Sequence, residues 1–331
     1  MKKINEFELI NQLTDNLPNY NSDVIKGIGD DCAVIKQADG NYLLTTCDSQ
    51  VDGVHFDSLV STPRQIGQKA VAVNVSDIAA MGGRPTYCMV SLIIPKKLKP
   101  DYIQAIYDGI KMSCASDKIQ IIGGNITSGK QLIIDITMMG AVKSDELLLR
   151  SGAKVGDKVL VTGSLGMAAA GLKLIQNLGI LIADKDVLIQ KQLTPIARLS
   201  ESVVIAQSKL ATSMIDISDG LFSDIRHVCD ASKVGVMIYE SQIPISDSVI
   251  QIENQLGQKP FTLATSGGED YELLFTTSAE SVAKVIQLIQ SKTGNLVTEI
   301  GEIVPINDGK WIIGSNNTKF PVNSTGWSHQ I

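Results

Sequence analysis

Short apolar runs recur along this chain, and several of them stop at a carboxylate. Residues 5–13 carry apolar side chains at helical spacing and predict a short amphipathic helix. Asp39-Gly40 is a hairpin signal, so the apolar segment closing at Ile35 and a strand over 42–48 are expected as antiparallel neighbours. Over 65–81 the period changes. Ile66, Ala70, Val73, Asp77 and Met81 recur at intervals of three or four, which predicts a helix with Asp77 on its apolar stripe and Asn74 one turn before it. Gly82-Gly83-Arg84-Pro85 ends that helix. Residues 87–94 are nearly continuous in apolar side chains, and a strand there is expected to be covered on both faces. A helix over 100–116, a buried strand opening into Gly123-Gly124, and a strand over 132–142 complete the first half.

Residues 150–157 are rich in glycine and charge, and the boundary between two domains, 1–149 and 150–331, is placed there. The second half opens with a strand over 158–162. The small residues from Gly163 to Gly171 then start a helix. They lack the G-x-G spacing and the lysine of a phosphate loop and are read as close helix packing. Helices run to residue 209 with a break at Pro195. A further helix runs to about residue 232, then come a strand ending at Phe275, a helix over 278–292 and a strand over 296–304.

The polar residues that interrupt these apolar elements are the candidate chemistry. Gly29-Asp30-Asp31 sets two acids before an apolar strand, where they repel each other and lose water unless a cation joins them. Asp48, Asp77, Asp216, Asp219, Glu269 and Asp270 stand in similar surroundings and are expected to converge on that turn. Asp219 alone could cap the following helix. Asp52 could cap its own loop, and His55 could reach a ligand or serve structure. Gly123-Gly124 could bring backbone N–H groups to an anion or make an ordinary turn. Arg150 is either a solvated linker residue or a phosphate contact at the rim of a cleft. Trp327, in the tail, either covers a flat ligand or anchors the C-terminus.

Composition narrows this. The 331 residues are 44% hydrophobic and 19% charged, as in globular proteins with ample core. The net charge of −6 and the lack of a basic run argue against nucleic acid, and 5% aromatics leave few stacking platforms. Five dispersed cysteines without a C-x-x-C pair suit a reducing compartment. No charged-then-apolar leader and no apolar run of roughly 18 residues is seen, so no membrane association and a cytoplasmic location are expected. Carboxylates, an amide and hydroxyls select hard cations, and Mg²⁺ commonly bridges such groups to substrate phosphates. Phosphoryl transfer suits that site, and direct in-line transfer with no covalent nucleophile is expected.

Six motifs carry a resemblance: Gly29-Asp30-Asp31, Cys47-Asp48 through Gly53-Val54-His55-Phe56, Asn74-Val75-Ser76-Asp77, Arg150-Ser151-Gly152-Ala153, Asp216-Ile217-Ser218-Asp219-Gly220 and Ser266-Gly267-Gly268-Glu269-Asp270-Tyr271. In this order they resemble the thiamine-monophosphate kinase family, of the superfamily that includes aminoimidazole-ribonucleotide synthetase and selenophosphate synthetase. The resemblance implies a two-domain α/β fold whose N-terminal sheet forms a dimeric barrel, hence a homodimer. It implies ATP-dependent phosphorylation of thiamine monophosphate to thiamine diphosphate with several Mg²⁺ ions. It makes Asp31, Thr46, Cys47, Asp48, Asp77, Asn125, Asp216 and Asp219 metal-binding. Gly124, Asn125, Arg150 and Ser218 fall at the family's ATP positions, and His55, Glu269 and Trp327 at its substrate positions. Asp30 is left to shape the turn or to stand behind the metal-binding acids. Two residues depart from the family pattern. Cys47 replaces a threonine and is expected to coordinate through its backbone or to lose one bond. Asn125 replaces an aspartate, which implies weaker metal affinity with activity kept. The alternatives are another enzyme of the superfamily and a non-catalytic nucleotide sensor. Residues 1–26 contain no cysteine, which argues against selenophosphate synthesis. The chain ends Ser328-His329-Gln330-Ile331 without the cysteine of the hydrogenase-maturation relatives.

Overall fold

The computed structural model describes residues 6–322, except 178, 260 and 315. Trp327 lies outside them. The first half contains α1 (Glu6–Thr14), β1 (Val24–Lys26), β2 (Ala33–Lys36), β3 (Tyr42–Val51), α2 (Pro63–Ala80), β4 (Arg84–Pro95), α3 (Pro100–Ser116), β5 (Gln120–Gly129) and β6 (Ile133–Val142). Its six strands form one sheet in the order β1-β2-β3-β6-β4-β5. The expected hairpin is present, with Ala33 opposite Thr45 and Lys36 opposite Tyr42. Pairing is antiparallel throughout except between β4 and β5.

Helix α2 is the axis of this half. Thr62 and Gln65 close a capping box around Pro63, so the helix starts before the predicted residue 65. Ile66, Ala70, Val71, Val75 and Ile78 are buried in one core with Val34, Leu44, Ile134, Ile136 and Met138 of the sheet. Helix α3 lies on α2 where both carry glycine. A Cβ on Gly67 would meet the Ile106 carbonyl, and one on Gly109 would meet the Arg64 carbonyl.

Helices cover only one sheet face. Along β4 exposed and buried positions alternate, with Cys88 and Val90 inside and Tyr87 and Met89 outside, so the expectation of two covered faces is corrected within one chain. Strand β5, expected to be buried, is an edge strand exposed along nearly its whole length, Ile122 and Ile126 included. Gly123 and Gly124 lie inside β5 rather than at its end. The Val90 carbonyl of β4 sits where a Gly124 Cβ would go.

The second half contains β7 (Lys158–Thr162), α4 (Met167–Gln176), α5 (Lys185–Leu193), α6 (Leu199–Ser208), β8 (Ala211–Ile217), α7 (Leu221–Ser232), β9 (Gly235–Tyr239), α8 (Asp247–Gln255), α9 (Thr262–Ser266), β10 (Glu272–Thr277), α10 (Val282–Thr293), β11 (Val297–Val304), β12 (Lys310–Ile313) and β13 (Lys319–Pro321). The sheet order is β13-β12-β9-β11-β7-β10-β8. Both faces are buried. Val159, Val161, Ile215 and Leu274 pack with Leu221, Ile225 and Val228 of α7. Leu160, Met214, Leu273 and Phe275 pack on the other face with α6, α10 and with Ala80 and Leu148 of the first half. The two halves thus share a core. Ser202 Oγ donates to the Ala79 carbonyl across the same junction (2.5 Å). No described helix is long and apolar enough to cross a membrane.

Candidate active site

Four polar stretches meet where the C-terminal end of α2 approaches β8. The turn before β2 supplies Asp30 and Asp31, β3 supplies Thr46 and Asp48, α2 supplies Ser76 and Asp77, and β8 supplies Asp216. One carboxylate oxygen from each of Asp31, Asp77 and Asp216 lies within 4.8 Å of the others. Ser76 Oγ donates to Asp216 Oδ2 (2.5 Å) and joins the halves. Thr46 Oγ1 donates to Asp77 Oδ2 (2.5 Å), and the Asp48 amide donates to Asn74 Oδ1 (3.1 Å). Asn74 in turn donates to the Ala70 carbonyl, so the polar residue one turn before Asp77 ties α2 to β3.

Burial makes these acids reluctant to ionise. Asp77 is pushed well above the usual carboxylate range, by burial first and then by Asp48, Asp216 and Asp31. Asp216 is pushed up to about 8 by burial and Asp31, against the hydrogen bond from Ser76. Burial also raises Asp48, with Asp135 and Asp31 adding to it. Asp31 is raised by burial and opposed by Arg150, whose Nη2 and Nε both reach its Oδ1 (2.5 and 3.1 Å). Asp31 Oδ2 is buried without a hydrogen-bond partner among the described residues. Asp30 plays another part. Its Oδ1 accepts from the amides of Asp31 and Arg150 (3.3 and 3.1 Å), and Lys26 lies 3.6 Å from its Oδ2. It therefore fastens the turn.

A second group lies on the same cavity wall. Asp219, Asp224 and His227 each bring one ligand atom within 4.8 Å of the others. Gly220, rather than Asp219, is the N-cap residue of α7. Asp224 accepts from the Gly220 amide (3.1 Å). Burial holds His227 down at about 4. The two acid turns also pack on each other, since the Glu269 amide donates to the Ser218 carbonyl (2.7 Å) and the Tyr271 amide to Ile217 (2.8 Å).

Asp31 and Asp77 of the first group and all three residues of the second line one cavity of about 1740 Å³, together with Arg150, Ser218, His55 and Glu269. The Val51 amide donates to His55 Nδ1 (3.1 Å), so the neutral ring carries its proton on Nε2.

The chain is similar to known proteins over nearly its whole length. The family described as AIR synthase related protein, N-terminal domain, matches residues 29–142, and its C-terminal domain matches residues 154–313. The thiamine-monophosphate kinase of Buchnera aphidicola subsp. Schizaphis graminum (strain Sg) is 38% identical over 329 residues, 99% of each chain. That of Bacillus subtilis (strain 168) is 33% identical over 98% of this chain and 99% of its own. The solved structure of AaThiL complexed with AMPPCP and TMP has a TM-score of 0.84 at 32% identity, covering 99% of this chain and 98% of that one. The chain belongs to the thiamine-monophosphate kinase family. Its fold is the two-domain α/β fold of the AIR synthase relatives.

Not every position implied by the thiamine-monophosphate kinase resemblance comes together. Cys47 lies between Thr46 and Asp48 on β3, so its side chain points to the opposite sheet face, where Sγ meets Asp135 Oδ1 (3.3 Å). A thiol bond to the cluster is thereby excluded. Asn125 shares a register row with Ser91, Asp135 and Ser49 across β5, β4, β6 and β3. It is therefore three strand spacings, or about 14 Å, from β3. Neither Asn125 nor Gly124 lines the cavity of its own chain. Asp270, expected to converge on the first turn, does not. Its carboxylate accepts from the amides of Gly166 and Ala168 (2.7 and 3.2 Å) at the start of α4. Asp52 closes its loop by accepting from Ser58 N and Oγ, both at 2.9 Å.

Sequence reasoning passed over Lys69, Ser76, Gln192, Asp224 and His227. Ser76 adjoins Asp77 within a motif already singled out. Asp224 and His227 stand one helical turn apart just past Asp216–Gly220, a spacing that places them on one face. Lys69 and Gln192 leave no such trace.

Proposed function

We propose that this chain transfers the γ-phosphoryl group of ATP to thiamine monophosphate, forming thiamine diphosphate and ADP in the cytoplasm. The close Asp31–Asp77–Asp216 group carries the reading. Three carboxylates so close cannot all ionise without cations. The donors are hard oxygens and Asp31 Oδ2 is unpartnered, so the residues fit Mg²⁺. Asp31, Asp48, Asp77, Asp216 and Asp219 would hold several ions, with the Thr46 hydroxyl and the Cys47 carbonyl beside them. Bound Mg²⁺ neutralises charge on the transferring phosphoryl group.

The cavity exceeds the roughly 300–1,000 Å³ of a single small-molecule pocket and has room for donor and acceptor together. Arg150 and Ser218 face the nucleotide, and Arg150 can exchange Asp31 for phosphate. His55 Nε2–H and the Glu269 carboxylate orient the acceptor, with Trp327 from the tail. An oxygen of the acceptor phosphate forms the new P–O bond while the bond from γ-phosphorus to the β-bridging oxygen breaks and ADP leaves. The protein positions both groups and excludes water, and no side chain is phosphorylated.

Residues 1–149 bind nucleotide and metal and mediate dimerisation, and residues 150–331 complete the site. The homodimer forms over the uncovered face and free edge of the first sheet, closing a barrel. The apolar residues exposed there, Tyr87, Met89, Ile122 and Ile126, support this. Gly124 and Asn125 would meet a nucleotide only across such an interface. Asn125 brings no charge, and metal binding is weaker there.

Incubation with [γ-³²P]ATP, Mg²⁺ and thiamine monophosphate tests the reaction. Label is expected in thiamine diphosphate, with none retained on the denatured protein. Labelled protein that passes its phosphate to thiamine monophosphate would replace in-line transfer by a covalent route. Nucleotide binding without labelled product would indicate a sensor.

A further inference from the structure

The acceptor end of the cavity is held by a residue that the metal and nucleotide chemistry does not use. Lys69, on α2, is only 3% exposed. A buried ammonium must be paired. Its Nζ donates to the His55 carbonyl (3.0 Å) and lies 2.6 Å from Glu269 Oε1. Glu269 Oε2 accepts from Gln192 Nε2 of α5. A carboxylate only accepts, so this contact also fixes which way the Gln192 amide faces. Gln192 is itself 6% exposed. Glu269 takes a backbone φ of +69°, an uncommon conformation for a residue with a side chain, which holds only where its surroundings enforce it. Lys69 and His55 belong to the first half of the chain, Gln192 and Glu269 to the second. All four line the cavity.

We propose that Lys69 is a positioning residue for the acceptor substrate, holding the Glu269 carboxylate against the His55 loop across the cleft, with Gln192 bracing the other oxygen. This rests on the reading of thiamine monophosphate as acceptor and deepens it. The acceptor offers a carboxylate two kinds of partner, the N–H donors of its aminopyrimidine and the positive charge of its thiazolium. Each Glu269 oxygen spends one lone pair on Lys69 or Gln192 and keeps another for a ligand. Without the ammonium the side chain would be free to swing, and substrate binding would have to restore its place. Because the clamp joins the halves, the acceptor subsite is complete only when they are docked as seen here.

The test measures binding and turnover separately. Calorimetry with thiamine monophosphate, in the presence of a non-hydrolysable ATP analogue, compares wild type with Lys69→Met, Lys69→Arg, Gln192→Leu and Glu269→Gln. Lys69→Met is expected to weaken acceptor binding about tenfold or more, the effect of losing a hydrogen bond to a charged group. Its KM for thiamine monophosphate should rise in step, while that for ATP stays within about twofold. Lys69→Arg, which can still donate to both partners, recovers part of the loss. Gln192→Leu gives a smaller loss of the same kind. Lys69→Met combined with Glu269→Gln binds no worse than the weaker single variant, because both break one unit. If Lys69→Met does not fold, the arginine, leucine and glutamine variants decide the matter. Unchanged acceptor affinity in folded variants of a wild type that binds it overturns this inference alone, as does an equal rise in both KM values. A wild type that does not bind thiamine monophosphate overturns the functional reading and this inference with it.

Discussion

Asp30 and Asp31 are adjacent and both buried, yet the structure divides them. Each leaves its Oδ2 without a hydrogen bond, but Asp30 gives Oδ1 to two backbone amides with Lys26 3.6 Å from Oδ2, whereas Asp31 stands in the group with Asp77 and Asp216. Asp31→Asn is therefore expected to lower turnover by more than about a hundredfold, and Asp30→Asn by about tenfold or less, as for a supporting residue. Steady-state rates of the two variants check this, and equal losses would undo the division. Asp270 is separated from Glu269 in the same way. It is buried at the start of α4 and pushed up to about 7, by burial first, against its two amide hydrogen bonds. Its folded form therefore holds a proton more tightly than the unfolded chain. The associated stability is fully present below the ordinary carboxylate value of about 4 and is lost as pH rises through about 7. Urea unfolding between pH 4 and pH 8 should show a shallower fall in stability for Asp270→Asn than for wild type. The acids were legible in the sequence because each interrupts an apolar element. Their separate duties were not, since Asp30-Asp31 and Glu269-Asp270 are each one pair of letters. Lys69 was hidden for a related reason, because a lysine on a helix resembles any solvated one until its surroundings are known.

At the scale of elements, local signals carried furthest where they were self-contained. The Pro100 start and the periodic run to Ser116 coincide with α3 at both ends. The Asp39-Gly40 hairpin and β7 are equally local. Strands β9, β12 and β13, of five, four and three residues, are too short for periodicity to mark. Strands β4 and β5 mislead in a different way. Their apolar content implies burial, but the described helices cover one face only. The α2–α3 contact depends on backbone approach rather than on an apolar pattern. Gly109→Ala would set a methyl on the Arg64 carbonyl. A loss of about 1–3 kcal/mol in unfolding free energy is expected, measured by denaturant titration with an unchanged m-value.

At the scale of the whole molecule, the site belongs to neither half. Ser76–Asp216, Arg150–Asp31 and Lys69–Glu269 all cross the junction. The two-domain plan was legible from motif order. The way the halves face each other was not, because it is set by a shared core around Ala80, Leu148, Met214 and Phe275. The proposed dimer belongs to this scale too. Ile126→Glu places a charge on the exposed strand β5. Sedimentation should show it as a monomer with reduced turnover, and an unchanged mass would move the interface elsewhere.

If the acids around Asp77 serve phosphoryl transfer between ATP and thiamine monophosphate, formation of both products depends on them. The most direct measurement quantifies ADP and thiamine diphosphate formed from ATP, Mg²⁺ and thiamine monophosphate by wild type and by Asp77→Asn. Equal amounts of the two products are expected from wild type and none above background from a folded Asp77→Asn. Equal rates from the two proteins, or ADP without thiamine diphosphate, would contradict it.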